Sequence, residues 1–111
     1  MPAAYFDIHA EQYSELDLTL TWSDEDDIAE NLTGATAKME VRDKIGGTVL
    51  DTFTEADALI LGGAAGTIQL LYEPSYAGQY VYDLYVTRSG KQPVRVFEGK
   101  VINDPSVTQL P

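Results

Sequence analysis

The sequence predicts an all-β fold, an antiparallel β-sandwich of about seven to eight strands. Three observations carry this. Apolar residues recur at every second position, turn signals punctuate the chain every ~8–12 residues, and no long segment repeats apolar residues at helical spacing. The 111 residues suit one domain. A chain of this size buries about two-thirds of the surface its unfolded form exposes, enough for a core without staples. Cysteine is absent, which removes disulfides and thiolate metal sites and fits a reducing compartment.

Residues 1–14 read as an N-terminal arm or edge strand, with Tyr5, Phe6 and Ile8 ahead of the polar Glu11–Gln12–Tyr13–Ser14. The sandwich is expected over 15–103. In Glu15–Trp22, Leu16, Leu18, Leu20 and Trp22 share one face and Asp17, Thr19 and Thr21 the other, the pattern of a strand with one wet side. An acidic turn, Asp24–Glu25–Asp26–Asp27, and Asn31–Leu32–Thr33–Gly34 lead into Ala35–Arg42, where Ala37, Met39 and Val41 point inward and Lys38, Glu40 and Arg42 outward. Gly46–Gly47 turns the chain into the β-branched Thr48–Thr54. Glu55–Leu59 suits a short helical turn. The glycine-rich 62–66 segment is a turn before Thr67–Tyr72, and Pro74 ends that strand because it cannot donate to a ladder. Gln79–Arg88 and Pro93–Ile102 flank a Ser89–Gly90–Lys91 hairpin loop. Residues 104–111 form a C-terminal tail.

Tyr76–Ala77–Gly78–Gln79–Tyr80–Val81–Tyr82 resembles the Asp-x-Gly-x-Tyr-x-Cys pattern at the start of the penultimate strand of immunoglobulin-type domains. Gly78 and Tyr80 match, Tyr82 takes the cysteine position and Tyr76 the aspartate position. The resemblance implies an immunoglobulin-like sandwich in which Gly78 and Tyr80 form a structural corner, the Tyr80 hydroxyl bonding back to nearby backbone. Trp22 is then the expected core anchor. Tyr85 lies on the opposite parity from Tyr80, Tyr82 and Leu84, and is expected to be exposed.

Charge narrows the function classes. Nine acidic residues and no Lys or Arg precede Lys38, so nearly all of the net charge of −11 belongs to the first third. Such a surface repels phosphate backbones and anionic membranes, so neither nucleic acid nor membrane is an expected partner. Docking of the Asp24, Glu25, Asp26 and Asp27 loop onto a basic partner is the functional expectation, and a solvated, solubilising turn is the plainer one. The loop fails as an EF-hand: counting from Asp24, position five is Ile28 and position six Ala29. His9 is the only histidine and sits on the terminal segment, so a zinc site or Ser-His-Asp triad lacks its other parts. No catalytic, cofactor-binding or metal residue is assigned, and no enzyme activity is expected. Met1 reads as a natural start, and residues 1–20 lack the basic start and apolar core of a signal peptide. The expectation is a soluble, leaderless chain made in the cytoplasm.

The segments 18–22, 32–42, 63–68 and 78–84 together resemble small β-sandwich proteins encoded among phage and prophage structural genes, a likeness spanning residues 16–102. Similar modules are the immunoglobulin-like collar proteins that ring a long phage tail and anchor side fibres, and the first domain of some upper baseplate proteins. The resemblance implies a non-enzymatic virion protein of the tail collar, baseplate or fibre-attachment region. It would be synthesised in the host cytoplasm, contact other virion proteins, and be present as a homo-oligomeric ring. Tyr5, Phe6 and Ile8 are the candidate intersubunit contacts and the Asp24–Asp27 loop the candidate docking surface. Two alternatives stay open. One is a capsid decoration or head-fibre base protein. The other is a carbohydrate-binding module for a host surface glycan, using Tyr13, Tyr72, Tyr76 and Tyr85.

Overall fold

In–out alternation along most strands produces two sheets over a shared core. The structure, a computed structural model, describes residues 4–24, 26–56 and 58–107. Among these, the strands are β1 (Ala4–Tyr5), β2 (Ile8–Glu11), β3 (Leu16–Thr21), β4 (Thr36–Arg42), β5 (Val49–Thr54), β6 (Leu59–Leu61), β7 (Thr67–Tyr72), β8 (Gly78–Thr87) and β9 (Val94–Asp104). The larger sheet runs β1–β9–β8–β4–β5, with β2 also on β9; the smaller runs β3–β7–β6. All pairings are antiparallel except those of β1 and β2, which lie parallel to β9. The larger sheet is therefore mixed, where a purely antiparallel one was expected.

The core takes its residues from both sheets. Ala37, Met39 and Val41 of β4, Tyr82, Leu84 and Val86 of β8 and Val101 of β9 face Leu59 of β6 and Ile68, Leu70 and Tyr72 of β7, all buried. Burial of each such aliphatic side chain is worth about 1.5–3 kcal/mol. One polar chain crosses this interior. The Asn103 amide donates to the Tyr72 hydroxyl (2.9 Å), which donates to Tyr76 (3.2 Å), which in turn donates to the Asp51 carboxylate (2.5 Å). Tyr72 also meets Phe53 edge-on at 5.6 Å. Burial raises the Tyr72 and Tyr76 phenols above their ordinary range.

A corner forms at the start of β8. Tyr80 folds back and donates its hydroxyl to the Ala77 carbonyl at 2.5 Å, with Tyr76 packed edge-on against its ring. The motif needs glycine at 78 because φ is +124° there and a Cβ would stand 2.9 Å from the Tyr80 hydroxyl. Two stacked sheets with this corner on the penultimate strand define an immunoglobulin-like β-sandwich.

Several expectations are corrected. Trp22 follows β3 and is half-buried at the rim, so it packs against the core without anchoring it. In the Glu55–Leu59 segment, expected as a short helical turn, Glu55, Ala56 and Ala58 are turn residues and Leu59 opens the short β6, while Asp57 lies outside the described residues. Of the two forms expected for the N-terminal segment, arm or edge strand, residues 4–5 and 8–11 take β-pairing with β9. The Phe6 carbonyl accepts the Tyr82 hydroxyl (2.6 Å), the Asp7 carboxylate accepts the Lys100 N–H (3.0 Å), and the Tyr13 N–H donates to Pro74 (2.8 Å). Gly99 permits the close approach: a Cβ there would sit 2.2 Å from the Phe6 oxygen. Ile8 is consequently a core residue, 2% exposed, and is withdrawn as an intersubunit contact; a polar residue there would damage the fold. The predicted tail begins where β9 ends, and its residues 108–111 lie outside the described residues.

Candidate functional site

The outer face of the larger sheet is built by register. Cross-strand pairing aligns Lys38, Tyr85 and Arg95 in one row, Glu40, Asp83, Glu98 and Tyr5 in the next, and Arg42, Val81 and Lys100 in the third. A row of carboxylates thus lies between two rows of cations. These side chains line a shallow depression of about 530 Å³. Tyr5 (63% exposed), Tyr85 (40%) and Ile45 (91%), the last from the β4–β5 loop, add apolar surface to it. Of eighteen acidic and seven basic residues in the chain, three and four line this face, leaving fifteen and three elsewhere. A face of slightly positive formal charge therefore sits on a strongly negative molecule.

The charges are organised locally. The Arg42 guanidinium donates to Glu40 (2.9 Å) and to the Gly47 carbonyl (2.6 Å), so one side chain pins both the central row and the loop that presents Ile45. The same loop is closed by the Thr48 N–H on the Asp43 carboxylate at 2.8 Å. Lys38 approaches Glu40 at 3.6 Å and Arg95 approaches Glu98 at 3.8 Å. The hydrogen bond from Arg42 holds Glu40 below the usual carboxylate range, with Lys38 adding to the effect. Its neighbour Asp83 is pushed the other way, first by partial burial and then by Glu40 and Glu98, against the pull of Arg95 and Arg42. Carboxylates directly opposite one another on adjacent strands destabilise a sheet, so the flanking cations offset a cost inherent to the arrangement.

A bulge explains why this face was missed in the sequence. Register shifts between Leu84 and Tyr85, where β9 accommodates one extra residue. Val96 and Phe97 are therefore both buried, and Arg95 shares the outer face with Glu98 and Lys100 in spite of its odd parity. The signal available was the alternation Lys38-x-Glu40-x-Arg42, already read as outward.

The other predicted site residues are scattered. Tyr5 lies on this face, whereas Phe6 is partly exposed but does not line it. Asp24, Asp26 and Asp27 lie in the connection between β3 and β4. The Asp24 carboxylate is used internally, accepting the Asp26 and Ile28 N–H groups at 2.9 and 3.0 Å, and this leaves Asp26, Asp27 and Ile28 exposed. Glu25 lies outside the described residues. At the loop's base Arg88 pairs with Glu30 at 3.0 Å and stacks over Trp22, 4.8 Å from the ring centre. The four tyrosines considered for a glycan do not assemble: Tyr72 is buried, Tyr76 is tied to Tyr72 and Asp51, Tyr13 is half-buried, and Tyr85 is exposed. His9 is exposed on β2, and no cluster of three metal-ligating side chains occurs among the described residues.

No family model and no curated protein matches the chain. Among solved structures it is similar to Drosophila OTK, extracellular domains 3-5, at 18% identity and a TM-score of 0.34. The match covers 94% of this chain and 32% of that one, so the chain spans about a third of its length. No described helix is long and apolar enough to cross a membrane.

Proposed function

We propose that the chain is a non-enzymatic phage virion protein of the tail collar, baseplate or fibre-attachment region, acting through multi-copy protein–protein contacts on the outer face of its larger sheet. The observation that carries the contact reading is the gathering of Tyr5, Tyr85, Ile45 and four of the seven cations on one concave face of an otherwise acidic molecule. Tyrosine and arginine are enriched at protein interfaces, and a few such side chains carry most of the binding energy. The virion placement is supported by the likeness of residues 16–102 to phage structural sandwiches. Immunogold labelling of particles induced from cells carrying the gene tests it. Label at the tail collar or baseplate is the expected result. Label on the head moves the protein to capsid decoration or a head-fibre base, and unlabelled particles overturn the virion reading.

Tyr5 and Tyr85, set around the same depression, favour a second reading, a carbohydrate-binding module. Saturable binding on a glycan array, lost with Tyr85→Ala, supports it; a blank array removes it.

A further inference from the structure

We infer that this sheet face receives the Asp24–Ile28 loop of a second copy, so that copies join head to tail; the inference rests on the multi-copy reading above and names its joint. Charge selects the occupant. Two bodies of net charge −11 repel, and the contact that best relieves this sets the most acidic loop of one against the most cationic face of the other. One cation is open for it: Lys38, Arg42 and Arg95 already approach Glu40 or Glu98 within the face, whereas no carboxylate of the described residues lies within ion-pair distance of the Lys100 ammonium.

The loop is built to be presented. Besides the two hydrogen bonds on the Asp24 carboxylate, the Asp24 N–H donates to Ile28 O (2.9 Å) and the Asp27 N–H to Asp24 O (3.0 Å), and Ser23 bridges Ala29 below the turn. Ile28, paired with Asp24 where the turn closes, is 62% exposed beside Asp26 and Asp27. Ile28 supplies an apolar partner for Ile45 and Tyr85, while Asp26 and Asp27 meet the cation rows. The residues lining the face and those of the loop do not overlap, so one copy can use both at once. Such a heterologous contact closes into a ring or extends as a filament. A two-fold, face-to-face dimer is the competing geometry, and it would leave the acidic loop of each copy without a cationic partner.

Two variants decide the matter: Lys38→Gln/Lys100→Gln on the face, and Asp26→Asn/Asp27→Asn on the loop, neutralised and not reversed so that the altered face and altered loop do not complement each other. All four positions are exposed, and unchanged thermal melting confirms that each variant folds. Light scattering at low ionic strength should show the wild type assembling, each variant alone associating at least about tenfold more weakly, and their equimolar mixture forming a species of twice the 12.2 kDa chain mass. The mixture stops there because it holds one intact face and one intact loop. Salt near 0.5 M should weaken all association, since screening shortens to a few ångströms (about 3 Å at 1 M). A wild type that stays monomeric overturns the inference. So does a mixture that stays monomeric, or a loop variant that assembles like the wild type. If the wild type is oligomeric while the mixture fails, multi-copy contact survives and the joint lies elsewhere; particle labelling judges the virion reading separately.

Discussion

The two faces of the larger sheet are made by the same strands and do different work. Inward, Met39, Val41, Leu84, Val86 and Val101 are almost wholly buried and hold the sheets together. Outward, Lys38, Glu40, Arg42, Asp83 and Glu98 alternate with them residue by residue. The inner face is what hydrophobic burial alone would select. The outer face carries like charges in line and exposed tyrosines, neither of which folding requires. The difference separates residues kept for stability from residues available for contact, and a single step along a strand moves from one group to the other.

The sharpest break of that comparison is at neighbouring positions. Leu84→Ala should cost about 2–5 kcal/mol because it opens a cavity in a closed core. Tyr85→Ala, one residue on, should stay within about 1 kcal/mol of wild type; urea denaturation compares the two directly. Next comes Gly99→Ala. Its methyl group collides with the Phe6 carbonyl, so a loss of about 1–3 kcal/mol is expected. Amide exchange should become fastest in residues 4–11, where the edge strand is displaced.

Tyr80→Phe removes the hydroxyl bond to Ala77 and should cost about 1 kcal/mol without disturbing the outer face. The smallest effect concerns Asp83 and sharpens the comparison by its sign. Its folded carboxyl is raised, so the stability linked to it is fully present below the ordinary aspartate range and is lost as pH rises through the raised value. Asp83→Asn should therefore stabilise the protein at pH 7, by about 0.5 kcal/mol for relief of like-charge pairing. The gain should vanish below about pH 4, where aspartate is largely protonated. Thermal melts of both proteins across that range measure the difference.

Period-two alternation made β3, β4, β7, β8 and β9 legible, because each is long enough for the repeat to stand out. The Gly78-x-Tyr80 spacing made the corner legible because its geometry is local. β6, at three residues, is too short to show any period. The docking of β1 and β2 was not legible because it depends on distant partners, the Tyr82 hydroxyl and the bare backbone of Gly99, which put Ile8 inside while Tyr5 stays outside. The contact face depends on register across three strands and on the bulge beside Val96. Local alternation carries neither, so the acidic loop drew the functional reading while the cationic face opposite in charge passed unnoticed.

The central claim is that the outer face of the larger sheet gathers copies of this chain. Native mass by light scattering over a dilution series, for wild type and Tyr85→Glu side by side, tests it most directly. The account predicts a wild-type mass that is a multiple of 12.2 kDa and falls toward the monomer on dilution, with the variant monomeric throughout and equally stable. A monomeric wild type, or a variant that assembles unchanged, would contradict it.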